Sequence, residues 1–161
     1  MKNGLSAIQL KSFVLPKDIQ IIPLQINLKN CKWLICSVYR PPSLDLTYFL
    51  QSLTNLLDFY NFERCVVIGD INSDPKFGKL DNFLNSHMLH SHLRTNTCFK
   101  SETGSCIDLI LSNQKYSLQN TGSFDCGLSD CHHLVYTMLK STYVKLPQKL
   151  YYIDAFKTFL K

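Results

Sequence analysis

The sequence predicts an α/β fold built on a mixed sheet. Five apolar, β-prone runs of strand length punctuate the chain, an amphipathic helical repeat separates the second from the third, and turn-forming clusters bound them. Strands interleaved with helices favour α/β organisation, while two neighbouring strands joined by a short turn add an antiparallel pair. With 161 residues, 45% hydrophobic and 18% charged, the chain suits one folded domain or a large part of a bigger one, which excludes disorder and fibrous repeats.

In chain order, Ile22, Leu24, Ile26 and Leu28 alternate in the manner of a half-buried strand, and Pro23 marks an edge or a strand start because its nitrogen carries no proton. The segment Cys31–Tyr39 (CKWLICSVY) is almost wholly apolar and reads as the second member of a hairpin, buried on both faces and ended by Arg40-Pro41-Pro42. Ser43 is placed to cap a helix with Asp45 in its first turn. Leu46, Phe49, Leu50, Leu53, Leu56, Leu57 and Tyr60 then recur at helical spacing, which gives a helix over 44–60. Residues 65–68 (CVVI) form a short buried strand, cut off by Gly69 and the polar cluster 70–75. A weaker helix fits 79–86. After the turn at Glu102-Thr103-Gly104, residues 105–112 and 134–139 read as two further strands joined by a polar connector. No internal repeat is visible.

Charge and cysteines narrow the function classes. The net charge is +5, but Lys140 to Lys161 holds five lysines and one acid, Asp154, so the tail carries +4 and everything before it +1. Contact between residues 1–139 and a polyanion must therefore rest on specific side chains. The seven cysteines are odd in number and lie mostly in apolar runs, where a reduced thiol packs as a small hydrophobe, so no disulfide framework is expected. No window approaches 18 consecutive apolar residues, and the N-terminal stretch lacks the apolar centre of a secretory signal. The expectation is an intracellular protein, nuclear or cytoplasmic, without a membrane partner.

Four groups could carry chemistry. Asp70 and Asn72 follow a buried strand; on an extended chain they project to the same side as two hard oxygen groups, and otherwise they are turn formers beside Gly69 and Pro75. Asp108 interrupts an apolar strand, where an ionised carboxylate needs a partner, structural or catalytic. Ser129-Asp130-Cys131-His132-His133 precedes the last strand and offers a carboxylate for a metal and an imidazole for general-base work. The alternatives are solvated histidines, or a zinc site with Cys126 and Cys131 whose spacing matches no closed structural site. Tyr39 ends a buried strand beside Arg40; a phenol with a guanidinium suits a phosphate oxygen, and a core-edge tyrosine is the alternative.

Taken in order, VYRPPS, VVIGDINSD, SCIDLILSN and GLSDCHHLV resemble the motifs of the endonuclease/exonuclease/phosphatase superfamily, most closely the endonuclease domain of non-LTR (LINE-like) retrotransposons. The similarity runs from about residue 15 into the tail, where TYVKLPQKLYYIDAF looks like a connector toward a reverse transcriptase. The resemblance implies an incomplete four-layer α/β sandwich with two packed mixed β-sheets. Residues 1–139 would be the C-terminal portion of the domain and 140–161 the basic tail. It also implies metal-assisted hydrolysis of DNA phosphodiester bonds with Mg²⁺ or Mn²⁺, and a reverse transcriptase domain as partner in the full-length element. On this resemblance His132 is the base that activates water and Asp108 orients its imidazole. Asp70 and Asn72 position the nucleophile and scissile phosphate near the metal, Asp130 helps hold the ion, and Tyr39 hydrogen-bonds the phosphate.

Two departures from the family pattern accompany the resemblance. Asp is followed directly by His in the family, whereas Cys131 intervenes here, so either His132 moves into place through a local bulge or the base is displaced, with His133 the other candidate. Family members also carry, further toward the N-terminus, an Asn-bearing strand and a strand with a metal-ligating Glu. Glu63 and Glu102, the only glutamates, do not sit where that ligand belongs. The expectation is a truncated nuclease with weak or no activity in isolation, exposing apolar sheet surface and an unpaired edge. The alternatives are a non-catalytic nucleic-acid or protein-binding remnant and a phosphomonoesterase of the same superfamily.

Overall fold

The computed structural model describes residues 6–28, 31–127, 129 and 131–140. Among these, eight strands and two α-helices follow one another: β1 (Ser6–Gln9), β2 (Gln20–Leu28), β3 (Cys31–Tyr39), α1 (Leu46–Tyr60), β4 (Cys65–Asp70), α2 (Asp81–Ser86), β5 (His90–Ser91), β6 (Asp108–Ser112), β7 (Leu118–Phe124) and β8 (Leu134–Leu139). Six form one mixed sheet in the order β1-β2-β3-β4-β6-β5, in which β3 and β4 run parallel and the other neighbours antiparallel. The antiparallel pair β7-β8 is a second sheet. This is the mixed α/β architecture expected of the superfamily. The tail over 141–161 lies outside the described residues.

Period-two burial along the central strands builds a core on each face of the large sheet. Leu34, Cys36 and Val38 of β3, Val67 of β4, and Leu109 and Leu111 of β6 pack against Phe49, Leu53, Leu56 and Leu57 of α1 and Phe83 of α2. Trp33 and Ile35, Val66 and Ile110 face the other way, toward Leu118 of β7 and Leu139 of β8. Helices, large sheet and small sheet are thus three stacked layers. The hairpin β2-β3 and the doubly buried β3 are as the apolar runs predict. Pro23 falls inside a strand that is not an edge. Its carbonyl accepts from Leu10 N, just beyond the end of the short β1, so its protonless nitrogen faces a side where no ladder donor is needed.

Several boundaries differ from the sequence expectation. Helix α1 begins at Leu46, and its cap is Asp45, whose carboxylate accepts from Tyr48 N at 2.8 Å; Ser43 does not cap it. The second helix starts at Asp81, later than expected. Strand β6 starts at Asp108, because Ser105 bridges Cys98 and the Cys106 amide donates to Asp74. Gly69 does not stop β4. At φ +141° it lets the strand pass so close to β3 that a Cβ there would sit 2.0 Å from the Val38 carbonyl oxygen. β4 therefore continues to Asp70. The polar connector after β6 contains β7, a mostly polar strand broken by a register shift between Gln119 and Gly122.

Candidate active site

Three adjacent strands end in one row of side chains. Register pairs Tyr39 of β3 with Asp70 of β4, and Asp70 with Asp108 of β6. Directly paired residues point to the same face of a sheet, so the continuation of β4 through Gly69 is what sets the two carboxylates side by side.

His132 joins them from the entrance to β8. Residues 131–132 are held by Ser129, whose Oγ accepts from the amides of Cys131 and His132, and His132 bridges Cys98 in antiparallel fashion. Its Nδ1 stands 3.9 Å from Asp108 Oδ2 and its Nε2 3.6 Å from Cys98 Sγ. Ligand atoms of Asp70, Asp108 and His132 all lie within 4.8 Å of one another. The intervening Cys131 therefore does not keep His132 away. His133 instead lays its ring on Phe99, with centroids 4.5 Å apart.

The electrostatics of this cluster are those of crowded, poorly hydrated acids. Burial, with the neighbouring Asp108 charge, pushes the Asp70 carboxyl up to about 6, against the Asn72 amide, His132 and Arg40, which favour its ionised form. Burial likewise raises Asp108, opposed by the Thr97 hydroxyl and His132. Asp108 Oδ2 is buried with no hydrogen-bond partner among the described residues. A buried carboxylate oxygen left unsatisfied is costly; His132 Nδ1, 3.9 Å away, is the donor placed to satisfy it, and a divalent cation held at Asp70 would relieve the repulsion between the two acids. The residues present fit such an ion.

Asn72 does not lie on an extended chain. Its φ of +50° turns the backbone, its amide N donates to Asp70 Oδ1 at 2.8 Å, and its side-chain Nδ2 donates to the Arg40 carbonyl at 2.8 Å. Asn72 is thus a turn former whose Oδ1 is left as its side-chain acceptor beside the carboxylate row. Arg40 is not a phosphate contact. It is buried, and its guanidinium donates to the carbonyls of Ile71 (2.7 Å), Asn72 (2.8 Å), Pro41 (3.3 Å) and Leu44. It splints the 71–72 turn to the start of α1. Tyr39, 37% exposed, is free to present its hydroxyl to a ligand. Asp130 lies outside the described residues. No cysteine belongs to the Asp70–Asp108–His132 group, so the zinc alternative gains no support from it.

Two residues near the site, Thr97 and Cys98, carry no signal in the sequence. Thr97 is fully buried, and its hydroxyl accepts from the amides of Ile107 and Asp108, which fixes the start of β6. Asp74 plays a similar part: one oxygen accepts from Lys76 N, the other from Cys106 N and from the Lys76 ammonium at 3.1 Å.

A profile of the endonuclease-reverse transcriptase family matches residues 33–136, which include every described residue of this site. The chain belongs to that family. No curated protein matches the sequence. Among solved structures, it is similar to the endonuclease domain of TRAS1, a telomere-specific non-LTR retrotransposon (TM-score 0.69, 15% identity, 86% of this chain and 69% of that one). It is also similar to an endonuclease/exonuclease/phosphatase family protein from Leptotrichia buccalis (0.58, 16%, 75% and 53%) and to a conserved protein of unknown function from Enterococcus faecalis (0.54, 13%, 84% and 66%). At these identities the likeness is one of fold. The chain spans between 53% and 69% of the length of these relatives. No helix among its described residues is long and apolar enough to cross a membrane.

Proposed function

We propose that this chain carries the catalytic site of a metal-dependent phosphodiesterase that nicks DNA, with Asp70, Asp108 and His132 at its centre and with weak activity in isolation. The observation that carries the reading is the convergence of these three groups within 4.8 Å around a buried carboxylate oxygen that has no hydrogen-bond partner among the described residues. Family membership supports a nucleic acid as substrate.

His132 acts as the base. Asp108 faces Nδ1 and favours a proton there, which leaves the lone pair on Nε2; Nε2 gives up its 3.6 Å contact with Cys98 Sγ to accept the proton of the attacking water, and the resulting imidazolium is held by the adjacent carboxylate. The water oxygen bonds to phosphorus as the bond to the leaving sugar oxygen breaks. Asp70, with Asn72 and Asp130, would hold Mg²⁺ or Mn²⁺, which when bound neutralises charge on the phosphate. Tyr39 donates its hydroxyl to a non-bridging phosphate oxygen.

The test is nicking of supercoiled plasmid by the purified chain with Mg²⁺ or with EDTA, beside Asp70→Ala and His132→Ala. Metal-dependent nicking that disappears in both variants supports the assignment. Nicking that survives both substitutions removes these residues from the mechanism.

A further inference from the structure

A second polar depression lies away from the carboxylate row. It is a groove of about 540 Å³ between α2, β5 and the turn after β6, and none of the site residues described above lines it. His90, His92, Arg94 and Lys115 line it, against one carboxylate, Asp81, and the amide of Asn85. Arg94 and Lys115 are both exposed, and neither has an ion-pair partner among the described residues. His92 Nε2 is buried and has no hydrogen-bond partner among them. Two cations without ion-pair partners, one of them Lys115 with its ammonium 5.7 Å over the Tyr116 ring, backed by a buried unsatisfied imidazole nitrogen, make a set of donors for an oxyanion.

The position of the groove says which oxyanion. His92 N donates to Ile110 O, so the chain beyond β5 still runs along β6, two residues from Asp108. Two residues along a strand and one strand across put His92 roughly 8 Å from Asp108, and the groove runs on from there toward Lys115, past the Ser112 end of β6. Neighbouring phosphates of one strand are further apart than the axial rise of about 3.4 Å, because the backbone also winds around the axis, so a strand whose scissile phosphate lies at Asp108 brings the next phosphate or two along it to this groove. We propose that the His92–Arg94–Lys115 groove is a backbone subsite that holds a flanking phosphodiester of the nucleic-acid substrate. The assignment rests on the reading that the chain acts on a polynucleotide, and it adds where that polymer is gripped. It also supplies the specific cations that the charge distribution demands, since the tail carries most of the net charge.

The experiment measures binding of a fluorescein-labelled DNA duplex in EDTA, without turnover, across a salt titration. Wild type is compared with the double variant Arg94→Gln/Lys115→Gln and with the charge-matched control Lys11→Gln/Lys32→Gln, all at exposed positions. For the groove variant the plot of log affinity against log salt should become shallower by about 0.9 for each phosphate no longer neutralised, with affinity about tenfold weaker at moderate salt. The control should keep the wild-type slope. Equal slopes in the two double variants, or no binding by wild type, overturn the proposal. Parallel plasmid nicking separates the two readings: a chain that nicks through His132 but has an unchanged groove slope loses the subsite alone. One that binds through the groove without nicking keeps the subsite and loses the cleavage assignment.

Discussion

Asp70→Asn should make the metal-free protein more stable at neutral pH, even though it strips the candidate site of a carboxylate. The substitution keeps the side-chain shape and the acceptor that Asn72 N uses, and removes only the charge. In the folded chain the Asp70 carboxyl titrates at about 6, raised from 3.8 chiefly by burial and then by Asp108. A rise of about two units corresponds to about 3 kcal/mol at 1.36 kcal/mol per unit. Asp70 retains some contact with water, and screening brings the expected effect to about 1 kcal/mol. Because the folded state binds the Asp70 proton more tightly than the unfolded chain, the wild type loses this stability as pH rises from about 4 to about 6 and does not regain it above. The variant has no such loss. Urea unfolding in EDTA at several pH values should show the variant ahead by about 1 kcal/mol at pH 7.5, with the gap closing toward pH 3.5. Added Mg²⁺ should narrow the gap at pH 7.5, since an ion bound by wild type alone stabilises it. A variant less stable than wild type at neutral pH, or a gap independent of pH, would refute the reasoning.

Two further outcomes follow from the backbone around the site. Gly69→Ala places a methyl 2.0 Å from the Val38 carbonyl in a conformation that L residues avoid, and should cost about 3 kcal/mol or more by thermal or urea unfolding. Arg40→Lys keeps the charge but not the planar fork that reaches four carbonyls, and should cost about 2 kcal/mol and loosen the turn carrying Asn72, read as faster amide exchange over 71–73.

What is legible in the sequence tracks burial. Strands β2, β3 and β8 and helix α1 announce themselves because a core on one or both faces imposes a run or a period on their residues. Strand β1 (SAIQ) is exposed throughout and β5 spans two residues, so neither leaves a hydrophobic signature. β7 is mostly polar and hides in what looks like a connector. The site shows the same division. Asp70, Asp108 and His132 stand out because a charge or an imidazole beside an apolar strand demands an explanation, and the ordered motifs join them. Thr97 gives no such signal, since one threonine in TNTCFK looks like the next until the fold buries it under Asp108. Arg40 misleads for a related reason: beside Tyr39 it reads as a ligand contact, whereas folding turns its donors inward onto four carbonyls. Gly69 looks like a strand breaker, and only the closeness of β3 reveals that it extends the strand.

The choice between the two neighbouring imidazoles bears most directly on the proposed chemistry. With Mg²⁺ and supercoiled plasmid, the rate of nicking by His132→Gln should fall by about 10² to 10⁴ relative to wild type, the usual contribution of a general base. His133→Gln, whose ring rests on Phe99, should stay within a few-fold. Equal losses in the two variants, or a larger loss at His133, would contradict the Asp108–His132 pairing on which the account stands.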